Sequence, residues 1–269
     1  MRSVRNGRQP AVLFGRLIMS DNPYTTQSSD DNVPPRKRWR YQTLTNILVC
    51  VAIVVVFIGL LLPATRSTRG PSRRMTCSYN LRQLGMALLN YEQAHHEFPP
   101  AYTVDENGKR LHSWRALILP YIEENDLYSK IDFSKPWDDP ANEAVRKTSV
   151  SVFACPSAKL TGGHTTYLTV VTANSCLQPG KGRKLDELID ATTDTVLVFE
   201  TSPKASVHWM DPHDADEELF LDVGSNHIGG ANVVMADNSV RFFSVNISKE
   251  LLKAMITIDG MEDIEGIVE

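Results

Sequence analysis

The chain has 269 residues, 42% hydrophobic and 22% charged, with 15 Gly and 15 Pro; this is the make-up of a chain that folds, not of a collagenous or wholly disordered one. Its formal net charge of −4 is unevenly spread, because residues 65–269 hold 20 Lys plus Arg against 29 Asp plus Glu, a net of −9. Such a surface repels phosphate backbones, so nucleic acid is excluded as an expected partner.

Residues 1–43 read as a basic leader carrying Arg2, Arg5, Arg8, Arg16, Arg36, Lys37, Arg38 and Arg40. Within it, Asp21 to Pro35 is polar and lacks core-forming residues, which predicts disorder. Met19 is a second candidate start beside Met1. From Tyr41 to Thr65 there is no charge, and Ile47 to Leu62 is apolar throughout apart from Gly59. This run predicts a single transmembrane helix over 44–64, since about 20 apolar residues cross a hydrocarbon core of roughly 30 Å. It lies too far from Met1 for an ordinary cleaved secretory signal. Arg66, Arg69, Arg73 and Arg74 follow the span and balance the four nearest cations before it. The additional leader arginines favour a cytoplasmic N-terminus, with residues 65–269 extracytoplasmic in the cell membrane. Cys50 falls in the span. Cys77, Cys155 and Cys176 fall beyond it, enough for one disulfide and one odd thiol, or for three buried thiols.

A long helix is expected to continue from the anchor. Leu81, Leu84, Leu88 and Tyr91 recur at spacings of three and four, and no Pro interrupts 75–95, although Gly70 and Pro71 predict a kink near the membrane surface. The stripe suits either other helices in a filament or the chain's own domain. Phe98-Pro99-Pro100 should stop the helix. A hairpin-like excursion turns at Asp105 to Gly108, two short helical pieces cover 113–124 with Pro120 opening the second, and another short helix runs from Ala141 to Thr148. Strands are expected at Val150 to Cys155, Thr166 to Val171, Thr195 to Thr201 and Val207 to Met210. Ala231 to Phe243 reads as a hairpin with a two-residue loop at Asp237-Asn238, followed by a helix from Lys249 to Ile256. Long helix first and strands later give an α+β class.

Leu60-Leu61-Leu62-Pro63-Ala64, the run Arg73 to Gly85 with its Met75-Thr76-Cys77-Ser78-Tyr79-Asn80-Leu81, Phe98-Pro99-Pro100, His112-Ser113-Trp114-Arg115 and Leu119-Pro120-Tyr121 together resemble the bacterial family called domain of unknown function 1559. Pro136-Trp137-Asp138, Phe153-Ala154-Cys155-Pro156-Ser157, Ile189 to Thr195 and the segment from Asn226-His227 to Phe242 continue the resemblance, which runs from about Thr43 to Phe243. It implies a pseudopilin-like build: a prepilin-type N-terminal segment, a long helix, a strand-rich pilin-like domain, and a C-terminal segment of His, nine residues and Asp-Gly. Here His227 is followed after nine residues by Asp237 and Asn238, so Asn stands where the family has Gly. Tyr41 stands before the expected cleavage point where Gly is usual, and Asn46 where a Glu is usual at the fifth position counted from Gln42. The expectation is therefore an uncleaved, fixed anchor. The resemblance also implies a Cys77–Cys155 disulfide with Cys176 spare. His227 and Asp237 are expected to serve the fold, Asp237 by accepting nearby N–H groups in the hairpin turn and His227 in a Gly-rich loop just before the first strand.

His208, Asp211, His213 and Asp214 are the metal candidates, because His and carboxylates crowd the stretch from His208 to Glu218; a solvated acidic loop is the competing explanation. His95-His96 reads as a helix-end pair. No Gly-x-Ser-x-Gly, phosphate loop or Cys-x-x-Cys occurs, so no enzyme activity and no cofactor are expected. The leading expectation is a membrane-anchored extracytoplasmic protein of structural or secretion-associated role, with the membrane and pseudopilin or secretion-system proteins as partners. The alternative is an anchored binding module for a glycan, peptide or cation.

Overall fold

The computed structural model describes residues 38–67, 69–222, 224 and 226–260. Most of the leader, including the stretch from Asp21 to Pro35, lies outside the described residues. The chain divides into two compact units, residues 1–59 and residues 60–269. Helix α1 (Arg38–Ser67) contains Tyr41–Gly59, 19 residues long and apolar enough to cross a membrane, none of it buried within the protein. The Thr45 hydroxyl donates to the Tyr41 carbonyl at 2.7 Å, which spares the apolar surface an unpaired polar group.

Helix α2 (Arg69–His95) holds Gly70 and Pro71 in its first turn, where a missing N–H costs no helical bond. It stops at His96, which takes a left-handed φ of 61° and donates its N–H to the Glu92 carbonyl, ahead of Pro99 and Pro100. Strands β1 (Tyr102–Val104) and β2 (Arg110–Ser113) then form the expected hairpin. Its turn is held by the Asp105 carboxylate, which accepts from the N–H groups of Asn107 and Lys109. Helix α3 (Trp114–Leu117) is capped by Ser113, and a 3-10 turn at Leu119–Ile122 takes Pro120 early, as expected. Helices α4 (Asn125–Tyr128) and α5 (Glu143–Arg146) follow, the latter led by a 3-10 turn at Pro140–Asn142.

Val150 to Cys155 corrects the sequence expectation: it is not a strand but a 3-10 turn at Ser151–Phe153. Residues 150, 152, 153 and 155 are buried while 151 and 154 are exposed, a spacing that a turn of period three satisfies and an alternating strand does not. Thr166 to Val171 is likewise not one strand. Strand β3 (His164–Thr165) falls just before that range, and within it only β4 (Tyr167–Leu168) is a strand, in a different sheet from β3.

After β5 (Val196–Glu200) come β6 (Val207–His208), which pairs with β3, and helix α6 (Glu217–Leu221), capped by Asp216 inside the stretch read as an acidic loop. Strands β7 (Gly230–Met235) and β8 (Val240–Ser244) complete an antiparallel sheet of order β4-β5-β7-β8, and α7 (Lys249–Ala254) follows where a helix was expected. Leu81, Leu84 and Leu88 of α2 pack with Val198 and Val234 on one side of the sheet. On the other side Phe220, Leu252 and Met255 from α6 and α7 pack with Phe199, Val233 and Met235. With both faces covered, β5 and β7 are buried along their whole length and read as apolar runs broken only by Glu200 and Asn232.

The β7–β8 turn differs from the two-residue loop expected. Met235 pairs with Ser239, the Asn238 N–H donates to the Met235 carbonyl, and only Asn238 has positive φ, at 67°, so three residues make the loop. The Asp237 carboxylate accepts the Ser239 N–H at 2.8 Å. Asn238 also lies against α2: a Cβ on Gly85 would clash with its Oδ1 and would meet the Val234 Cγ2 at 2.8 Å. Gly85→Ala is therefore expected to destabilise by about 1–3 kcal/mol through overpacking. Asn238→Gly is expected to be neutral or stabilising by up to about 1 kcal/mol, since it removes a side chain from a left-handed position and a buried amide oxygen with no hydrogen-bond partner. The double variant should recover part of the Gly85→Ala loss. Thermal unfolding reads all three, and a double variant less stable than Gly85→Ala alone would contradict the contact.

Candidate functional site

Cys77, Cys155, Glu200 and His227 come from four separate parts of the chain and meet beside the C-terminal end of β5, with one ligand-capable atom from each lying within 4.8 Å of all the others. The repeat of α2 that buries Leu81 and Leu84 also turns Cys77 inward. The 3-10 turn at Ser151–Phe153 delivers Cys155, and the Asn80 amide holds that segment by donating to the Ala154 carbonyl at 3.1 Å. Glu200 ends the apolar strand β5 and is fully buried. The Cys155 thiol donates to Glu200 Oε1 at 2.8 Å, and His227 Nε2 lies 3.0 Å from Oε2. Asn226 and Asn232 supply further amide donors to the two carboxylate oxygens, at 3.2 and 3.0 Å.

Burial opposes charge here, and the hydrogen bonds override it at two groups. His227 is desolvated, yet its bonds with Cys155 and Glu200 lift its pKa to about 9. Burial would raise Glu200, but the bonds from His227 and Cys155 hold it below the ordinary carboxylate range. The Cys155 thiol is pushed up by its hydrogen bond to Cys77 and by burial, while the same bond draws Cys77 down against burial and the nearby Glu200. The site is thus an imidazolium–carboxylate pair flanked by two thiols.

Cys77 and Cys155, the pair for which the resemblance implied a disulfide, are brought together as free thiols, and Cys176 is a separate buried thiol whose pKa burial raises to about 12. His227 joins this cluster, whereas Asp237 and Asn238 remain in the β7–β8 turn. Glu200 and Asn232 escaped the sequence reading. The signal available was a carboxylate and an amide inside two otherwise apolar runs, Val196–Glu200 and Gly230–Met235. Tyr41, Gln42 and Asn46 lie exposed on α1.

The metal candidates His208, Asp211, His213 and Asp214 are not gathered on one centre. Asp214 faces the interior and pairs with Arg115 at 2.5 Å, both side chains fully buried. Asp211 and His213 pair with each other toward solvent. His208 stacks on Trp137 with ring centroids 5.2 Å apart. Its Nδ1 accepts the Met210 N–H, so Nε2 carries the proton that reaches the Arg146 carbonyl at 3.0 Å. Burial lowers the His208 pKa; the Arg146 carbonyl and Asp211 pull the other way, and His164 and the Arg146 guanidinium reinforce the lowering. An unfolded His takes a proton near pH 6.5 while the folded ring resists it, so this contribution to stability is present above about pH 6.5 and is lost as the pH falls through the lowered folded value. Unfolding of His208→Gln should accordingly depend less steeply on pH between about 6.5 and 5 than that of the parent. Equal slopes would contradict the assignment.

A family model described as a protein of unknown function (DUF1559) matches residues 66–194, a segment that includes Cys77 and Cys155 and stops short of Glu200 and His227. No match to the chain exists among curated proteins or among solved structures.

Proposed function

We propose that the chain, which the family model described as a protein of unknown function (DUF1559) matches over residues 66–194, is a single-pass, membrane-anchored extracytoplasmic protein of pseudopilin-like build whose role is structural or secretion-associated rather than enzymatic. The observation that carries this reading is the order of two helical surfaces along the chain. Tyr41–Gly59 is unburied, and from Ile47 onward it is apolar on every side, as a lipid-facing segment is, whereas α2 buries a single stripe against the antiparallel sheet of its own domain. On the opposite side of α2, Met75, Tyr79 and Met86 stay exposed at helical spacing, a stripe that suits a neighbouring helix of the same kind.

The basic leader supports a cytoplasmic N-terminus. Tyr41 is bulky where a prepilin peptidase meets Gly, and Asn46 carries no charge to pair within the membrane, so the leader stays attached and the anchor is fixed. Intact-mass analysis of the protein extracted from membranes tests this. The mass of the uncleaved chain is expected. A mature N-terminus at Gln42, methylated or not, would overturn the fixed anchor and favour a polymerising pseudopilin.

A further inference from the structure

We propose that Cys77, Cys155, Glu200 and His227 form a binding site for one divalent transition metal of the zinc type, which clamps α2 to the end of β5 and to the loop before β7. Four chemically suitable donors from four parts of the chain lie within 4.8 Å of one another. A tetrahedral zinc centre, with bonds of about 2.3 Å to sulfur and about 2.0–2.1 Å to nitrogen or oxygen, needs such atoms roughly 3.3–3.8 Å apart. Small side-chain rotations therefore close the cage. Two sulfurs and an imidazole select a zinc-like ion over calcium or magnesium, which take oxygen ligands.

The surroundings fit as well as the donors. The Asn232 amide on Glu200 Oε2 and the Asn226 amide on Oε1 orient the carboxylate, which is the part that outer-shell groups play around metals. A Cys77–Cys155 disulfide would employ the two sulfurs and leave the buried Glu200–His227 pair beside them without a purpose. A thiol nucleophile would need access, whereas Cys77 is fully buried and Cys155 is 4% exposed. On binding, the two thiol protons and the imidazolium proton of His227 pass to solvent, so the sulfurs bind as thiolates and the imidazole in its neutral form, and no group is oxidised or reduced.

The test uses the full chain in detergent, kept reduced, stripped with a chelator and titrated with Zn²⁺ and, separately, with Co²⁺. One equivalent of each is expected to bind, with cobalt giving the intense visible and near-ultraviolet absorption of a tetrahedral thiolate complex. Cys77→Ser and His227→Ala should abolish that spectrum. Cys176→Ser should retain it, and Asn232→Ala should weaken affinity about 10–100-fold. The wild-type spectrum stands independently of whether any variant folds. No thiolate–cobalt band in the reduced wild type overturns the site, as does an unchanged band in Cys77→Ser. Peptide mapping that finds Cys77 bonded to Cys155 in protein taken from membranes, with no metal uptake after reduction, overturns it too.

Discussion

Asp214→Ala is expected to destabilise the domain by about 3–5 kcal/mol, because it strands a charged guanidinium in a dry interior. Arg115 is fully buried and reaches both Asp214 oxygens, at 2.5 and 3.2 Å, while its remaining donors go to the Ser113 hydroxyl and the Tyr167 carbonyl. The carboxylate also accepts the Thr169 N–H at 3.0 Å and the Trp114 indole N–H at 3.4 Å, so truncation orphans three partners at once. The pair is a joint between α3, β4 and the segment leading into α6, three parts of the fold distant in sequence. Asp214→Asn keeps the shape and some of the bonds and should cost less. Removing both charges with apolar residues of similar size should recover part of the loss, since the desolvation cost of the pair disappears with it. Denaturant unfolding followed by tryptophan fluorescence measures all three, and a loss below about 1 kcal/mol for Asp214→Ala would show that water reaches the guanidinium.

Trp209→Ala is expected to cost a similar amount, about 3–5 kcal/mol, for a different reason. Its ring is fully buried, stacks nearly parallel on Phe153 with centroids 5.8 Å apart, and donates its indole N–H to the Thr148 carbonyl at 3.0 Å. Those contacts tie the end of β6 to the turn that carries Cys155. Trp209→Phe should fill much of the space and cost about 1–3 kcal/mol, the remainder of the cavity plus an unpaired Thr148 carbonyl. If the Phe variant were as unstable as the Ala variant, the hydrogen bond and not the ring volume would dominate. The position of Cys155 makes a second readout available, because loss of Trp209 should also loosen the cluster of Cys77, Cys155, Glu200 and His227.

What could be read from the chain alone follows the range of the interactions involved. The apolar run through Ile47 to Leu62, the stripe of Leu81, Leu84 and Leu88, the Asp105 turn and the strands around Asp237-Asn238 are written locally, as periodicity or as turn chemistry within a few residues. Val150 to Cys155 misled because two adjacent apolar residues, Val152 and Phe153, satisfy a β-rich composition as readily as they satisfy a tight turn. The site was only half legible. Cys77, Cys155 and His227 stood out, but Glu200 closes an apolar run, and what makes a carboxylate tolerable there comes from residues 45 positions before it and 26 to 32 after it. Asp214 misled for the converse reason: its neighbours Asp211, His213 and Asp216 face outward or cap a helix, while it alone turns in to meet Arg115.

The central claim is an anchored chain with its folded domain outside the cytoplasm, and protease accessibility in intact cells tests it most directly. With an epitope added after Glu269, alkaline washing should leave the protein in the membrane fraction. Protease that reaches only the outer face of the membrane should then remove the epitope while sparing a tag placed ahead of Arg2. Release by the alkaline wash, or an epitope protected until the membrane is broken, would contradict the account.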